Sequence, residues 1–358
     1  MTTNEKIMYR CLELAGKGAG YVSPNPLVGC VIAKNGKIIA EGYHKKFGSN
    51  HAEINAINSA IKKGVNLKGA ELYVNLEPCS HYGKTPPCVD KIIQHKISKV
   101  IIGIKDPNSL ISGKGIKKLK QNGVRVKTGV LVNECRELNR FFLKFVKTGV
   151  PYVTIKTAQT LDGKIADKNY NSKWISSIQS RKLVHRLRRV FDAVLIGKKT
   201  LEIDNPSLTV RHVKGRNPYR IVIDRRLTLS LNKKIFSDIF RHKTIVITSA
   251  KAGKKKINDF EKRNIKVIMC KTKNSLIDLK DALKKLASLG ITSILVEGGA
   301  ITSSEFLKNK LADAMMLFIA PKIMGDGINA FNITVNLSRF RKINFHHFKK
   351  DILISVKK

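Results

Sequence analysis

Two α/β domains in tandem are what this sequence predicts, on three observations. A single hairpin pattern is followed by alternating strand and helix patterns, the mark of layered α/β domains. At Gly149-Val150-Pro151 a helix-stopping glycine meets a proline, and a fresh strand pattern starts at Tyr152. A chain of 358 residues is long for one hydrophobic core and comfortable for two. The expected domains are 1–147 and 151–358.

In chain order, the apolar runs 28–33 and 37–41 flank Asn35-Gly36, a strong short-range hairpin signal. Residues 52–63 follow as a helix with Ile54, Ile57 and Ile61 on one face. Strands are expected at 71–76, 99–104 and 124–127, with helices at 89–95, 116–122 and 134–146. In the second half the strand patterns fall at 152–157, 193–196, 219–223, 244–248, 266–269, 293–296, 315–319 and 352–356. Helical patterns fall there at 178–189, 276–289 and 303–308.

A 42% hydrophobic content excludes a disordered or collagen-like chain. No apolar run approaches the roughly 18 residues that span a bilayer, so no membrane association is expected. Residues 1–20 scatter their charges and lack the apolar core of a secretory signal, which predicts a cytoplasmic protein. In that compartment Cys11, Cys30, Cys79, Cys88, Cys135 and Cys270 do not form a disulfide framework. The close pair, Cys79 and Cys88, points instead to metal binding or catalysis.

The formal charge of +42 first suggests a nucleic-acid partner. Its distribution argues otherwise, because the excess is shared by both halves, and 51 Lys stand against 17 Arg. Arginine is the side chain favoured for planar phosphate and base recognition. A solvated basic surface with no specific nucleic-acid site is the expectation.

The chemistry in the first half is carried by His51-Ala52-Glu53 at the start of a helix and by Pro78-Cys79, with Cys88 beyond. A catalytic zinc takes three N/S ligands and keeps one open position. One imidazole and two thiolates meet that need. A hydrolytic deamination also needs a group that carries a proton to the departing amine. Glu53, two residues from His51, is placed for it. Together these residues match the order of the zinc-deaminase pattern, His-x-Glu then Pro-Cys-x-x-Cys. Eight residues separate the cysteines here, where that pattern has two.

That long loop, with Gly83-Lys84-Thr85-Pro86-Pro87 inside it and Ser23 through Cys30 (SPNPLVGC) upstream, closely resembles the bifunctional deaminase–reductase family of riboflavin biosynthesis. The resemblance implies zinc on His51, Cys79 and Cys88, a proton shuttle at Glu53, and substrate contacts at Asn25, His44, His81 and Lys84. It also implies a cytidine-deaminase-like three-layer α/β/α domain.

In the second half, Val296-Glu297-Gly298-Gly299-Ala300 leaves a strand and enters a helix, where glycines let backbone amides approach a pyrophosphate. The Gly-x-Gly-x-x-Gly fingerprint is absent, so a dinucleotide site must have another architecture. These segments, with 156–166 and 172–175, resemble the reductase domain of the same family, which implies a dihydrofolate-reductase-like fold and NADPH. Cofactor contacts are then implied at Ala158, Trp174, Thr200, Asp204, Gly299, Ala300, Ile301, Thr302, Ser303, Ser304 and Glu305. Substrate contacts are implied at Ser172, Arg188, Leu208, Arg211 and Glu297. Arg225 and Arg226, at a strand end, suit the extra phosphate of NADPH.

The implied reactions are deamination of a phosphoribosylated diaminopyrimidinone and reduction of its ribosyl group, in a homo-oligomeric enzyme. The rival enzyme is a zinc-dependent nucleic-acid base deaminase with an appended binding domain. It predicts aromatic stacking platforms, which a 6% aromatic content does not favour. A non-enzymatic RNA-binding module leaves His51, Glu53, Cys79 and Cys88 without a role.

Overall fold

A computed structural model describes residues 1–82, 86–108, 111–334 and 336–358. The chain divides into two compact units, Met1–Gly149 and Val150–Lys358.

The first unit runs α1 (Thr3–Gly16), β1 (Gly29–Lys34), β2 (Lys37–Tyr43), α2 (Ala52–Lys62), β3 (Glu71–Leu76), α3 (Cys88–Gln94), β4 (Lys99–Ile104), α4 (Lys114–Gln121), β5 (Arg125–Thr128), α5 (Val132–Leu138) and α6 (Arg140–Thr148). Its sheet has the order β2-β1-β3-β4-β5, with β1 antiparallel to both neighbours and β3, β4 and β5 parallel. The hairpin turns at Asn35 and Gly36, both at positive φ (51° and 74°), as a two-residue hairpin turn requires. Helices α2, α3 and α4 adjoin one another, while α1 packs with α5, giving three layers around a core of β1, β3 and β4 side chains.

Helix α2 departs from the expected apolar stripe. Its buried face is Ala52, Glu53, Ala56, Ile57 and Ala60, and Ile61 is half exposed. The reason is close approach: a Cβ on Gly42 of β2 would lie 2.3 Å from the Ala56 nitrogen and 2.5 Å from the Ala52 carbonyl oxygen. Only small side chains fit where α2 crosses Gly42, so Ala52 and Ala56 face the strand there, Ile57 stays buried, and Ile54 and Ile61 turn outward. The same rotation buries Glu53. The single helix expected over 134–146 is two helices, broken at Asn139.

The second unit runs β6 (Tyr152–Thr160), β7 (Lys164–Asp167), α7 (Ile178–Val190), β8 (Ala193–Gly197), α8 (Lys198–Asp204), β9 (Tyr219–Ile223), α9 (Lys234–Ser237), β10 (Thr244–Thr248), α10 (Lys254–Lys262), β11 (Lys266–Met269), β12 (Thr272–Lys273), β13 (Leu276–Ile277), α11 (Leu279–Ala287), β14 (Ser293–Val296), α12 (Ala300–Lys308), β15 (Ala314–Ala320), β16 (Gly327–Asn329), β17 (Lys342–Phe348) and β18 (Asp351–Lys357). Its main sheet has the order β11-β10-β9-β8-β14-β6-β15-β18-β17. Seven strands are parallel, and β18 and β17 close the edge antiparallel. The late strand β14 is inserted between β8 and β6. In open parallel sheets the crevice for a ligand lies beyond the carboxyl ends of the strands, where the winding reverses.

Candidate active sites

In the first unit a cavity of about 420 Å³ is lined by Asn25, His44, His51, Glu53, Cys79 and His81, among others. Lys84 lies outside the described residues. His51 caps α2 but makes no side-chain cap bond. Its imidazole turns instead to the thiols: Nδ1 lies 3.5 Å from Cys79 Sγ and 3.3 Å from Cys88 Sγ. Cys79 follows β3 and Cys88 opens α3, so a strand end and two helix starts bring the three groups together. All three ligand atoms lie within 4.8 Å of one another. Zinc bonds of about 2.0–2.1 Å to nitrogen and 2.3 Å to sulfur, tetrahedrally disposed, imply an N···S distance of roughly 3.6 Å. The residues fit the ion.

Glu53 is buried beside this cluster. Burial first, then the neighbouring Cys79, push its carboxyl up to about 7. The hydrogen bond from Cys88, ahead of that from His51, pulls the Cys79 thiol down. The bond to Cys79 and then burial push Cys88 up. Burial lowers the His44 pKa, so the ring is neutral near pH 7. The cavity also takes in Asp106, Asn108 and, from α6, Phe142, which the sequence reading did not single out. Burial raises the Asp106 carboxyl. The signal available was an Asp-Pro-Asn turn shortly after β4, at the same end of the sheet as the cysteines that follow its parallel neighbour β3.

In the second unit a larger cavity, about 1440 Å³, opens beyond the carboxyl ends of β6, β8, β9 and β14. Ala158, Ser172, Trp174, Arg188, Thr200, Asp204, Leu208, Arg211, Glu297 and residues 299–303 all line it, as do Arg225 and Arg226. Ser304 and Glu305 do not line it: one turn further along α12 they face away. There Ser304 Oγ accepts from Asn332 N–H, and the Glu305 carbonyl and carboxylate both accept from the Asn309 amide. A Cβ on Gly298 would lie 2.5 Å from the Ile196 Cα, so glycine is what lets β14 run on beside β8. Helix α12 starts at Gly299 without a side-chain cap, leaving its first amides to the cavity.

Arg188 and Glu297 form a two-pronged buried pair, Nε to Oε1 at 2.6 Å and Nη2 to Oε2 at 2.9 Å. Arg188 Nη1 also donates to the Thr209 carbonyl. Burial alone would raise the Glu297 carboxyl, but Arg188 outweighs it and holds the carboxyl below its ordinary value. Lys156 lines the same cavity, and burial pulls its ammonium pKa down. It too was missed as a site residue, although a lysine inside the apolar strand pattern at 152–157 is the signal that betrays it. Asp204 accepts a 3.2 Å hydrogen bond from Ser172 Oγ, and Trp174 is stacked by the Arg181 guanidinium at 4.3 Å.

Residues 151–354 match the family model of the RibD C-terminal domain. The chain belongs to the RibD family. Residues 1–104 match the cytidine and deoxycytidylate deaminase zinc-binding region. The chain is 42% identical to the riboflavin biosynthesis protein RibD of Aquifex aeolicus, over 99% of this chain and 98% of the relative. It is 36% identical to that of Buchnera aphidicola, over 96% and 94%. The solved deaminase/reductase of Thermotoga maritima superposes with a TM-score of 0.89 at 41% identity, covering 99% of this chain and 98% of that one. This family member is therefore a bifunctional enzyme of riboflavin biosynthesis, with a zinc-dependent deaminase of cytidine-deaminase type and an NADPH-dependent reductase. A nucleic-acid base deaminase with an appended binding domain is not favoured, since the second unit matches a reductase domain. Among the described residues no helix is long and apolar enough to cross a membrane.

Proposed function

We propose that the first cavity hydrolytically deaminates 2,5-diamino-6-(5-phosphoribosylamino)pyrimidin-4(3H)-one and that the second reduces the ribosyl group of the product. The observation that carries the first assignment is the convergence of His51, Cys79 and Cys88 beside a buried Glu53. Zinc held by those three side chains supplies, when bound, a water acidified enough to serve as nucleophile at neutral pH. Glu53 takes the proton released as water adds to the amine-bearing ring carbon. It then delivers that proton to the leaving amine, so that ammonia departs and a carbonyl remains. Asn25 and His44 read the pyrimidine edge, while His81 and Lys84 hold the phosphate.

The second assignment rests on the two-pronged Arg188–Glu297 pair and Lys156 beneath the strand ends. NADPH, when bound, would supply the hydride, and Arg225 and Arg226, which line the cavity, would hold its extra phosphate. Ala158, Trp174, Thr200, Asp204 and the turn from Gly299 to Ser303 would hold the cofactor. Ser172, Arg188, Leu208, Arg211 and Glu297 hold the opened ribosyl chain and its phosphate. Lys156 is the buried group that can hand over the proton which accompanies hydride arrival. The enzyme acts in the cytoplasm as a homo-oligomer, with domains at 1–147 and 151–358.

The test is incubation of the chain with the phosphoribosylated diaminopyrimidinone, with and without NADPH, followed by mass analysis. Without cofactor the product should exchange one amine for an oxygen and stop. With NADPH it should also gain two hydrogens. Reduction of the unaltered diamino compound would reverse the proposed order.

A further inference from the structure

We propose that Asn139, far along the chain from the metal ligands, is a positioning residue for deamination: its carboxamide fixes the segment that presents Asn25. The inference rests on the reading of Asn25 as a substrate contact. Strand β1 pairs with β3 from Cys30 opposite Val74 to Ala33 opposite Glu71. Ahead of Cys30 the chain leaves that ladder to reach the cavity, so Leu27 and Gly29 lose the backbone partners a continuing strand would offer. Buried backbone groups must be paired some other way.

Two carboxamides do it. Asn75 accepts from Gly29 N–H at 2.8 Å and donates to the Leu27 carbonyl at 2.9 Å. Asn139 accepts from Leu27 N–H at 2.8 Å and donates to the same carbonyl at 2.9 Å. Both are fully buried, at 0% and 1% exposure. Each uses a donor and an acceptor at once, a combination that a neutral carboxamide offers. Asn139 is itself held between two helices, its N–H donating to the Cys135 carbonyl and its carbonyl accepting from Leu143 N–H.

Two residues before the clamp stands Asn25, whose Nδ2 lies 3.2 Å from His44 Nε2. His44 Nδ1 faces the Asn50 carbonyl at 3.1 Å. A ring nitrogen facing a carbonyl must donate, so Nε2 of the neutral ring accepts from the Asn25 amide. The carbonyl end of Asn25 is then the end turned to a ligand's N–H. Shifting Leu27 moves that acceptor, which weakens substrate binding while leaving Glu53 and the metal ligands in place.

The test uses the full chain, with zinc content, kcat and KM for deamination, and the reductase rate on the deaminated intermediate all measured. Asn139→Ala removes both hydrogen bonds to Leu27 and frees the segment that presents Asn25, so KM should rise roughly tenfold or more. Zinc, kcat within a few-fold and the reductase rate should be retained. Asn139→Asp keeps the acceptor for Leu27 and loses the donor. It should also raise KM, and it serves if the alanine variant does not fold. Unchanged KM in a zinc-loaded variant overturns the proposal, as does loss of kcat together with zinc at constant KM. Asn25→Ala separates the two levels. If it raises KM and the Asn139 variants do not, the clamp alone is wrong. If it leaves KM unchanged, the substrate-contact reading beneath the proposal falls.

Discussion

Glu297→Ala should damage the reductase unit in two ways that a second substitution pulls apart. The side chains of Arg188 and Glu297 are 11% and 6% exposed, and two short hydrogen bonds join them. Removing one partner of so buried a pair leaves a desolvated charge without compensation, at a cost of about 3–5 kcal/mol. Lys156 sharpens the effect, because Glu297 supports its charge and Arg188 opposes it. For a unit of this size each kcal/mol moves the midpoint by roughly 2–4 °C, so a drop of about 6–20 °C is expected. Arg188→Met with Glu297→Leu removes both charges and fills the same space with apolar atoms, which restores most of that stability. Reduction should stay lost in the double variant if the pair grips substrate as proposed. The assay is thermal unfolding of the full chain alongside NADPH oxidation with the deaminated intermediate. An unshifted midpoint in Glu297→Ala would refute the electrostatic account. Restored turnover in the double variant would show that the pair only stabilises the fold.

Three further outcomes follow from the geometry. Burial first, then Arg188, His212 and Arg211, push the His185 imidazole down to about 4, below the ordinary 6.5. The unfolded chain then binds more protons, and stability is lost as pH falls from about 6.5 to about 4. His185→Gln, which still offers Arg211 N–H an acceptor, should flatten that slope in pH-dependent melting, and an undiminished slope would assign it elsewhere. Neutralising Arg225 and Arg226 together should raise the KM for NADPH more than that for NADH, whereas equal losses would make them mere surface. Metal analysis should find about one zinc per chain, lost in Cys79→Ser/Cys88→Ser along with deamination but not reduction; full zinc occupancy in that variant would contradict the ligand set.

Much of the fold was legible because local chemistry and tertiary packing agree. The Asn-Gly hairpin and the strands β3, β4, β9, β10, β11 and β14 lie where alternation and apolar runs put them. Helix α1 went unread although Thr2 and Glu5 form a capping box and Ile7, Met8, Cys11, Leu14 and Ala15 make a buried stripe. Strand β17 was hidden for a physical reason: it is an edge strand exposed along nearly its whole length, so no burial rhythm marks it. The outward turn of Ile54 and Ile61 came from Gly42, on another element, which a helix-only pattern cannot see. At the sites, ligand types could be read from order and spacing. Lys156 left only a charge inside an apolar strand pattern, and Asn139 left nothing, because its role comes from what the fold packs around it.

The central claim is that one chain carries two independent chemistries, and Glu53→Gln tests it most directly. Glu53 is not a ligand, so the variant should keep its zinc while losing the proton carrier, a contribution of typically 10²–10⁴ in rate. Supplied with the diaminopyrimidinone it should release almost no ammonia. Supplied with the deaminated intermediate it should oxidise NADPH at the parent rate. If the folded, zinc-loaded variant fails at both reactions, the two sites are not independent and the account is contradicted.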